Sequence, residues 1–67
     1  MENEARPAYQ VRVIEEKAAL DDKLSKLSTF LNGSSVEMSA INRDLMVAQA
    51  NAMTTYSEIL GQRISLF

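Results

Sequence analysis

The stretch LSTFLNGSSVEMSAINRDL, residues 27–45, decides the fold of this 67-residue chain, because it ends one helical pattern and begins another. Asn32 and Gly33 are the two residue types most tolerant of the left-handed backbone conformation that commonly ends helices. The serines that follow them are typical of turns and of helix N-caps. The sequence therefore predicts a loop over about residues 32–39 between two helices.

Two N-cap signals compete for the start of the second helix. Ser34 and Glu37 have the spacing of a capping box, whereas Ser39 is an equally suitable cap directly before the apolar pattern. The pattern then runs without Pro and contains only Gly61, which costs about 1 kcal/mol relative to Ala without ending a helix. We expect the second helix over about residues 40–65.

The first helical pattern lies before the loop and covers about residues 8–31, where there is no Gly or Pro. Pro7 suits the first turn of such a helix, and residues 1–6 are polar and unpatterned, which predicts a flexible tail. Two long helices joined by a short loop lie antiparallel, so the predicted fold is an all-α two-helix hairpin. In the first helix, the apolar residues that recur at helical spacing are Val13, Leu20, Leu24, Leu27 and Leu31.

The small size of the chain predicts self-association. A domain of this length buries only about 60% of the surface that its unfolded form exposes. Disulfides, structural metals and oligomerisation are the usual compensations, and this chain has no Cys and no His. We therefore expect the hairpin to be a homo-oligomer that forms a larger helical bundle.

The charge balance argues against polyanionic partners. The formal net charge is −2 and the sequence pI is about 4.9, so neither DNA nor an anionic membrane surface should attract the chain as a whole. No apolar run approaches the roughly 18 residues of a membrane span, and the absence of Cys suits a reducing compartment. These features predict a cytoplasmic protein that binds neither DNA nor membranes.

The second helix carries two parallel apolar rows, which together are wider than one partner helix covers. A hairpin partner covers a narrow seam, so the sequence predicts that the second row stays exposed in a monomer and forms an interface. The alternative is that the first helix lies across both rows. The first row consists of Ile41, Leu45, Ala48, Ala52, Thr55, Ile59 and Leu66, and the second of Met46, Met53, Leu60 and Phe67.

Polar residues interrupt these rows. Gln49, Tyr56 and Arg63 follow one another at intervals of seven along the second row. Burying them without partners costs several kcal/mol, so either protein groups such as Glu16 fix the helix register or a ligand meets them. As a ligand site, Arg63 would hold phosphate, Tyr56 would stack on a base and Gln49 would bond to its edge. Lys17, within the apolar row of the first helix, either extends to solvent or pairs with a carboxylate.

The first helix repeats this combination of cations and rings. Arg12, Lys23 and Phe30 lie within about 20° of one another on a helical wheel, with Lys26 nearby and Tyr9 on the core side. Cations beside aromatic rings suit a small, planar, negatively charged ligand. The alternative is a solvated helix flank on which acidic residues pair with the cations at helical spacing, namely Glu15, Glu16 and Asp22.

The sequence contains no recognisable catalytic machinery. Without His or Cys there is no activated nucleophile, and the adjacent acidic pairs at 15–16 and 21–22 point in different directions around the helix. Two glycines do not make a phosphate-binding loop, and the acids do not converge on a metal site. We therefore predict a protein that is not an enzyme and that uses no cofactor or metal.

Nearly the whole chain, about residues 8–67, resembles a family of small uncharacterised proteins of tailed phages, including crAss-like phages. The resemblance rests on the Y-Q-x-R-V segment that begins at Tyr9, the I-L-x-x-R-I segment that begins at Ile59, and the residues between them in the same order. The family pattern includes all the polar and aromatic positions singled out above, namely Tyr9, Arg12, Lys23, Lys26, Gln49, Tyr56 and Arg63. The resemblance implies a phage accessory protein.

In architecture, such phage hairpins are similar to sponge proteins, which oligomerise and sequester the cyclic nucleotide signals of CBASS and Thoeris immunity. The G-Y-R and N-E-I-K segments of anti-CBASS sponges are missing from this sequence. The similarity implies a sponge in the cytoplasm of the infected host that holds a cyclic oligonucleotide or cyclic ADP-ribose isomer between hairpins without cleaving it. The alternative function is a helical adaptor that inhibits a host protein, using the second row of the second helix to bind it.

Overall fold

Two antiparallel helices form the molecule, as the sequence predicts. The computed structural model describes residues 6–33 and 37–67. Helix α1 spans Ala8–Asn32 and helix α2 spans Ala40–Ser65. They pack side by side in an elongated hairpin of 48 × 19 × 14 Å. Neither helix combines the length and hydropathy that crossing a bilayer requires.

The start of α2 follows one of the two predicted caps. The Ser39 hydroxyl oxygen accepts a hydrogen bond from the backbone N–H of Asn42 at 3.2 Å, which satisfies one of the free N–H groups of the first turn. The alternative capping box begins at Ser34, which lies outside the described residues. The predicted flexible tail likewise falls almost entirely on residues 1–5, which the structure does not describe.

The end of α1 differs from the expected left-handed stop. Gly33 has φ −73° and ψ 108°, and none of the residues described has a positive φ. A side chain from α2 takes part instead: the Arg43 guanidinium donates to the carbonyl oxygen of Leu31 at 2.9 Å. This bond satisfies one of the carbonyls that a helix end leaves free, so the stop is made partly by the partner helix.

The contact between the helices corrects the prediction about which apolar row is exposed. The second row, hereafter the seam row, packs against α1, with Leu60 fully buried and Met46, Met53 and Phe67 half-buried. Val13 and Leu31 are the buried apolar residues of α1. The first row, hereafter the exposed row, lies open to solvent, with exposed fractions of 72% at Ile41 and 65% at Leu45.

Aromatic residues close the end of the hairpin opposite the loop. The rings of Tyr9 and Phe67 meet edge to face, with centroids 5.9 Å apart and planes at 81°. This contact pairs the first turn of α1 with Phe67, two residues beyond the end of α2. It fixes the relative height of the helices at the end where the predicted cations lie.

Candidate functional site

One hydrogen bond between the helices defines the side of the hairpin on which the predicted ligand residues lie. The Tyr56 phenol of α2 donates to the Glu16 carboxylate of α1, and this bond raises the pKa of the phenol. Glu16 is the protein partner that the sequence suggested for these polar residues. Tyr56 is nevertheless 42% exposed, so the bond lies at an open edge of the seam rather than inside it.

Helical spacing extends this contact into a continuous polar side. Arg12 and Lys23 lie four residues before and seven after Glu16 on α1, and both spacings return to the same face of a helix. On α2, Gln49 and Arg63 lie seven residues before and after Tyr56. The two sets predicted separately therefore share one surface, the polar side, formed by Arg12, Glu16, Lys23, Gln49, Tyr56 and Arg63.

The register of the hairpin sets Arg12 and Arg63 at the same height. Tyr9 contacts Phe67, and further along the seam Lys17 donates a hydrogen bond to Ser57 at 2.9 Å. Arg12 lies three residues after Tyr9 on α1, and Arg63 lies four residues before Phe67. In an antiparallel pair this register puts Arg12 and Arg63 at nearly the same height along the seam.

The polar side has an excess of positive charge. It carries three cations against the single carboxylate of Glu16. Both ion pairs within the described part of the chain lie elsewhere, and neither includes Arg12, Lys23 or Arg63. Among the residues that the structure describes, the amide of Gln49 bonds only to the sulfur of Met53, at 3.9 Å, and can bond further. Such a surface can accept phosphate oxygens and the edge or face of a base.

Three residues that the sequence analysis singled out lie outside the polar side. Lys26 forms an ion pair with Asp22 at 3.0 Å, four residues back on α1, and both side chains extend into solvent away from the seam. This is the solvated-flank arrangement that the sequence left open for the cations. Phe30 is 43% exposed near the loop end of α1. Tyr9 contacts Phe67 edge to face at the opposite end and still exposes 52% of its surface.

A second polar cluster lies within the seam, and the sequence pointed only to its lysine. Lys17 donates to Asp21 at 2.8 Å and to Ser57, and the Ser57 hydroxyl also donates to Asp21. These bonds from Lys17 and Ser57 lower the pKa of the Asp21 carboxyl. Ser57 is buried, and its hydroxyl both accepts from Lys17 and donates to Asp21, so the cluster is a structural network at the edge of the seam. Lysine in an apolar row with an acid four residues later is the signal that could have revealed it.

Comparisons with known proteins relate the chain to phages. It is 39% identical over 61 residues to a protein of Enterobacteria phage T4, the "Uncharacterized 7.5 kDa protein in denB-rIIB intergenic region". The aligned part covers 90% of this chain and 95% of the T4 protein, which supports a small phage protein. No solved structure matches the chain. The model of the family named Sequestin matches residues 7–66, and the chain therefore belongs to the Sequestin family.

Proposed function

We propose that this chain is a phage accessory protein that binds and sequesters a nucleotide-derived immune signalling molecule without cleaving it. The observation that carries the proposal is the polar side, where Arg12 and Arg63 lie at nearly the same height and the Tyr56 phenol meets Glu16. The family's name is consistent with a sequestering role. The working form is a homo-oligomer in the cytoplasm of the infected bacterial host.

The chemistry of the polar side favours an anion with an aromatic ring. Two guanidinium groups held at one height repel each other, and a phosphate between them relieves that repulsion through charge-assisted hydrogen bonds. The partly exposed Tyr56 ring offers a stacking surface about two helical turns, or about 10 Å along α2, from Arg63. Cyclic oligonucleotides and cyclic ADP-ribose isomers combine these groups.

The groups at this surface favour sequestration over turnover. Hydrolysis of a phosphodiester needs an activated nucleophile or a proton donor matched to the leaving group. Arginine side chains offer hydrogen-bond donors and no acceptor, and the one carboxylate of the polar side is engaged by a phenol. The described residues contain no group of three acids, histidines or cysteines that could hold a metal ion. Binding is the activity that this set of side chains supports best.

Calorimetric titration tests the proposal directly. The purified protein is titrated with a panel of cyclic dinucleotides, cyclic trinucleotides and cyclic ADP-ribose isomers, and at least one of them should bind. Arg12→Ala and Arg63→Ala should each weaken that binding by about 1.5–3 kcal/mol, because each removes hydrogen bonds to a charged group. Heating the complex should return the nucleotide chemically intact.

Lys26→Ala is the matched control for these arginine variants. It also removes one cation, but from an ion pair outside the polar side. A loss of affinity as large as that of Arg63→Ala would mean that the nucleotide responds to net charge alone. Absence of binding across the panel would leave the arginines as structural groups and would overturn the proposal.

The exposed row of α2 also supports the adaptor alternative in a modified form. The sequence predicts that an adaptor uses the seam row, but Leu60 and its neighbours pack against α1 and are not accessible to a host protein. An adaptor would have to use the exposed row instead. Capture of a host helix by this row therefore stands as the second candidate function.

A further inference from the structure

The exposed row has the spacing of a coiled-coil seam. Its members recur at alternating steps of four and three residues from Ile41 to Ile59, and Leu66 follows one heptad later. Leu66 exposes 86% of its surface and Ile59 48%. A single exposed leucine requires no explanation, but a row of this length along a whole helix marks a surface that another helix covers.

The two edges of the exposed row carry opposite charges. One edge repeats every seven residues as Asn42, Gln49, Tyr56 and Arg63, and the other as Asp44, Asn51 and Glu58. In coiled-coil terms these are the e and g edges that select the partner and its direction. Glu58 and Arg63 are both exposed, and neither takes part in an ion pair among the residues that the structure describes.

We infer that a second copy of this chain docks on the exposed row, with the two α2 helices parallel. In a parallel pair, a g residue of one helix faces the e residue five positions later in the other. Glu58 and Arg63 are five positions apart, so a two-fold symmetric pair gains two such ion pairs. An antiparallel pair would instead set the acidic edge against the acidic edge. The small residues Ala48 and Ala52 at the middle of the row let the helices approach closely.

This interface completes the candidate site, and in that respect the inference rests on the proposed function. The e edge of the exposed row is also the α2 part of the polar side. The second copy therefore covers the polar side with its own g edge and creates two equivalent clefts for each dimer. Each cleft has Arg12, Glu16, Tyr56 and Arg63 from one chain and Glu58 from the other. The two arginines and the two carboxylates balance, so a phosphate would bind there by displacing Glu58 from Arg63.

Disulfide trapping without nucleotide tests the interface, because the natural chain has no cysteine. Under mild oxidation, Ala48→Cys should form a covalent dimer in most of the protein, since parallel helices bring the two copies of this position together. Ala18→Cys, at an exposed position on the opposite face of α1, is the control and should stay monomeric. In an antiparallel pair the two introduced cysteines would lie about 16 Å apart. Failure of Ala48→Cys to cross-link overturns the inference.

A charge exchange tests the direction of the helices independently. Glu58→Arg and Arg63→Glu should each weaken self-association about tenfold in sedimentation experiments, because each replaces two ion pairs by two like-charge contacts. The double variant should restore most of the affinity. If the double variant is as weak as the single ones, the two residues do not face each other and the parallel arrangement is wrong.

The outcomes separate this inference from the proposed function. A cross-linked dimer that binds no nucleotide in the panel would retain the interface and remove the sponge. A monomer that binds nucleotide would retain nucleotide binding and remove the interface. An Ala48→Cys chain that cross-links only to a host protein, and not to itself, would assign the exposed row to the adaptor function and overturn docking of a second copy.

Discussion

Asp21 shows at the scale of single residues how the seam tolerates charge. It accepts hydrogen bonds from Lys17 and Ser57, and these bonds lower the pKa of its carboxyl from the ordinary value of 3.8. The folded hairpin therefore favours the ionised carboxylate more than the unfolded chain does. This contribution to stability is present above pH 3.8 and is lost as the pH falls through the lower folded-state pKa.

We predict a pH-dependent difference between the natural chain and Asp21→Asn. At neutral pH the variant should melt at a lower temperature, because an amide offers Lys17 no charge and accepts less strongly. Below the ordinary carboxyl pKa the difference should shrink, since the natural chain then also loses the carboxylate. Thermal unfolding followed by circular dichroism at stepped pH measures the difference. Asp44→Asn, at an exposed acid outside the network, is the control. A difference in melting temperature for Asp21→Asn that does not change with pH would contradict the prediction.

The limits of sequence reasoning at this scale lie in contacts between helices. The spacing of Gln49, Tyr56 and Arg63 within one helix fixed their shared face, and Glu16 could be named as a partner because it is an acid on the facing helix. Ser57 gave no such signal. Which residue lies opposite Lys17 depends on the rotation and height of the two helices, and these are set by seam packing and the loop rather than by spacing within a helix.

At the scale of the elements, α2 is a helix with two apolar faces of different character. The all-α hairpin and both rows could be predicted from helical periodicity, but the choice of the buried row could not. The seam row contains long side chains such as Met53 and Leu60, whereas the middle of the exposed row is made of alanines. A row with a large side chain at every apolar position offers α1 an apolar ridge without small residues, so this row packs against α1.

Truncation of the seam row should therefore cost far more than truncation of an exposed apolar residue. We expect Leu60→Ala to lower the free energy of unfolding by about 2–5 kcal/mol, because its side chain is fully buried and leaves a cavity. Val47→Ala, at a residue that belongs to neither row and is 42% exposed, should change it by less than about 0.5 kcal/mol. Urea unfolding measures both values. Equal effects would mean that the seam row is not the core.

Gly61 offers a stabilising substitution within α2. An added Cβ would meet only the Lys17 Cε, at 3.4 Å, which is an ordinary contact with a flexible side chain. Gly61→Ala should therefore raise the free energy of unfolding by about 0.5–1 kcal/mol through helix propensity. A loss of stability in urea unfolding would show that Lys17 cannot shift without breaking its bonds to Asp21 and Ser57. Gly61→Ala combined with Lys17→Met would then identify the conflict.

At the scale of the whole molecule, one hairpin has a single seam and therefore little core. Among the described residues, Val13, Leu31 and Leu60 are the buried apolar residues, while the exposed row leaves large side chains in water. Chains of this size are marginally stable unless something adds to their buried surface. Covering the exposed row with another hairpin supplies such surface, so folding and assembly should be linked.

This linkage predicts that the melting temperature rises with protein concentration, as mass action requires when association stabilises the folded state. Leu45→Asp should abolish that dependence, because it places a charge in the exposed row where a second copy would bury it. Leu60→Asp should instead prevent folding at every concentration, since it introduces a charge into the seam of each hairpin. Circular dichroism melts over a hundredfold concentration range, with sedimentation of the same samples, distinguish the two variants. A natural chain that sediments as a well-folded monomer at micromolar concentration, with a melting temperature independent of dilution, would show that the hairpin needs no partner to fold.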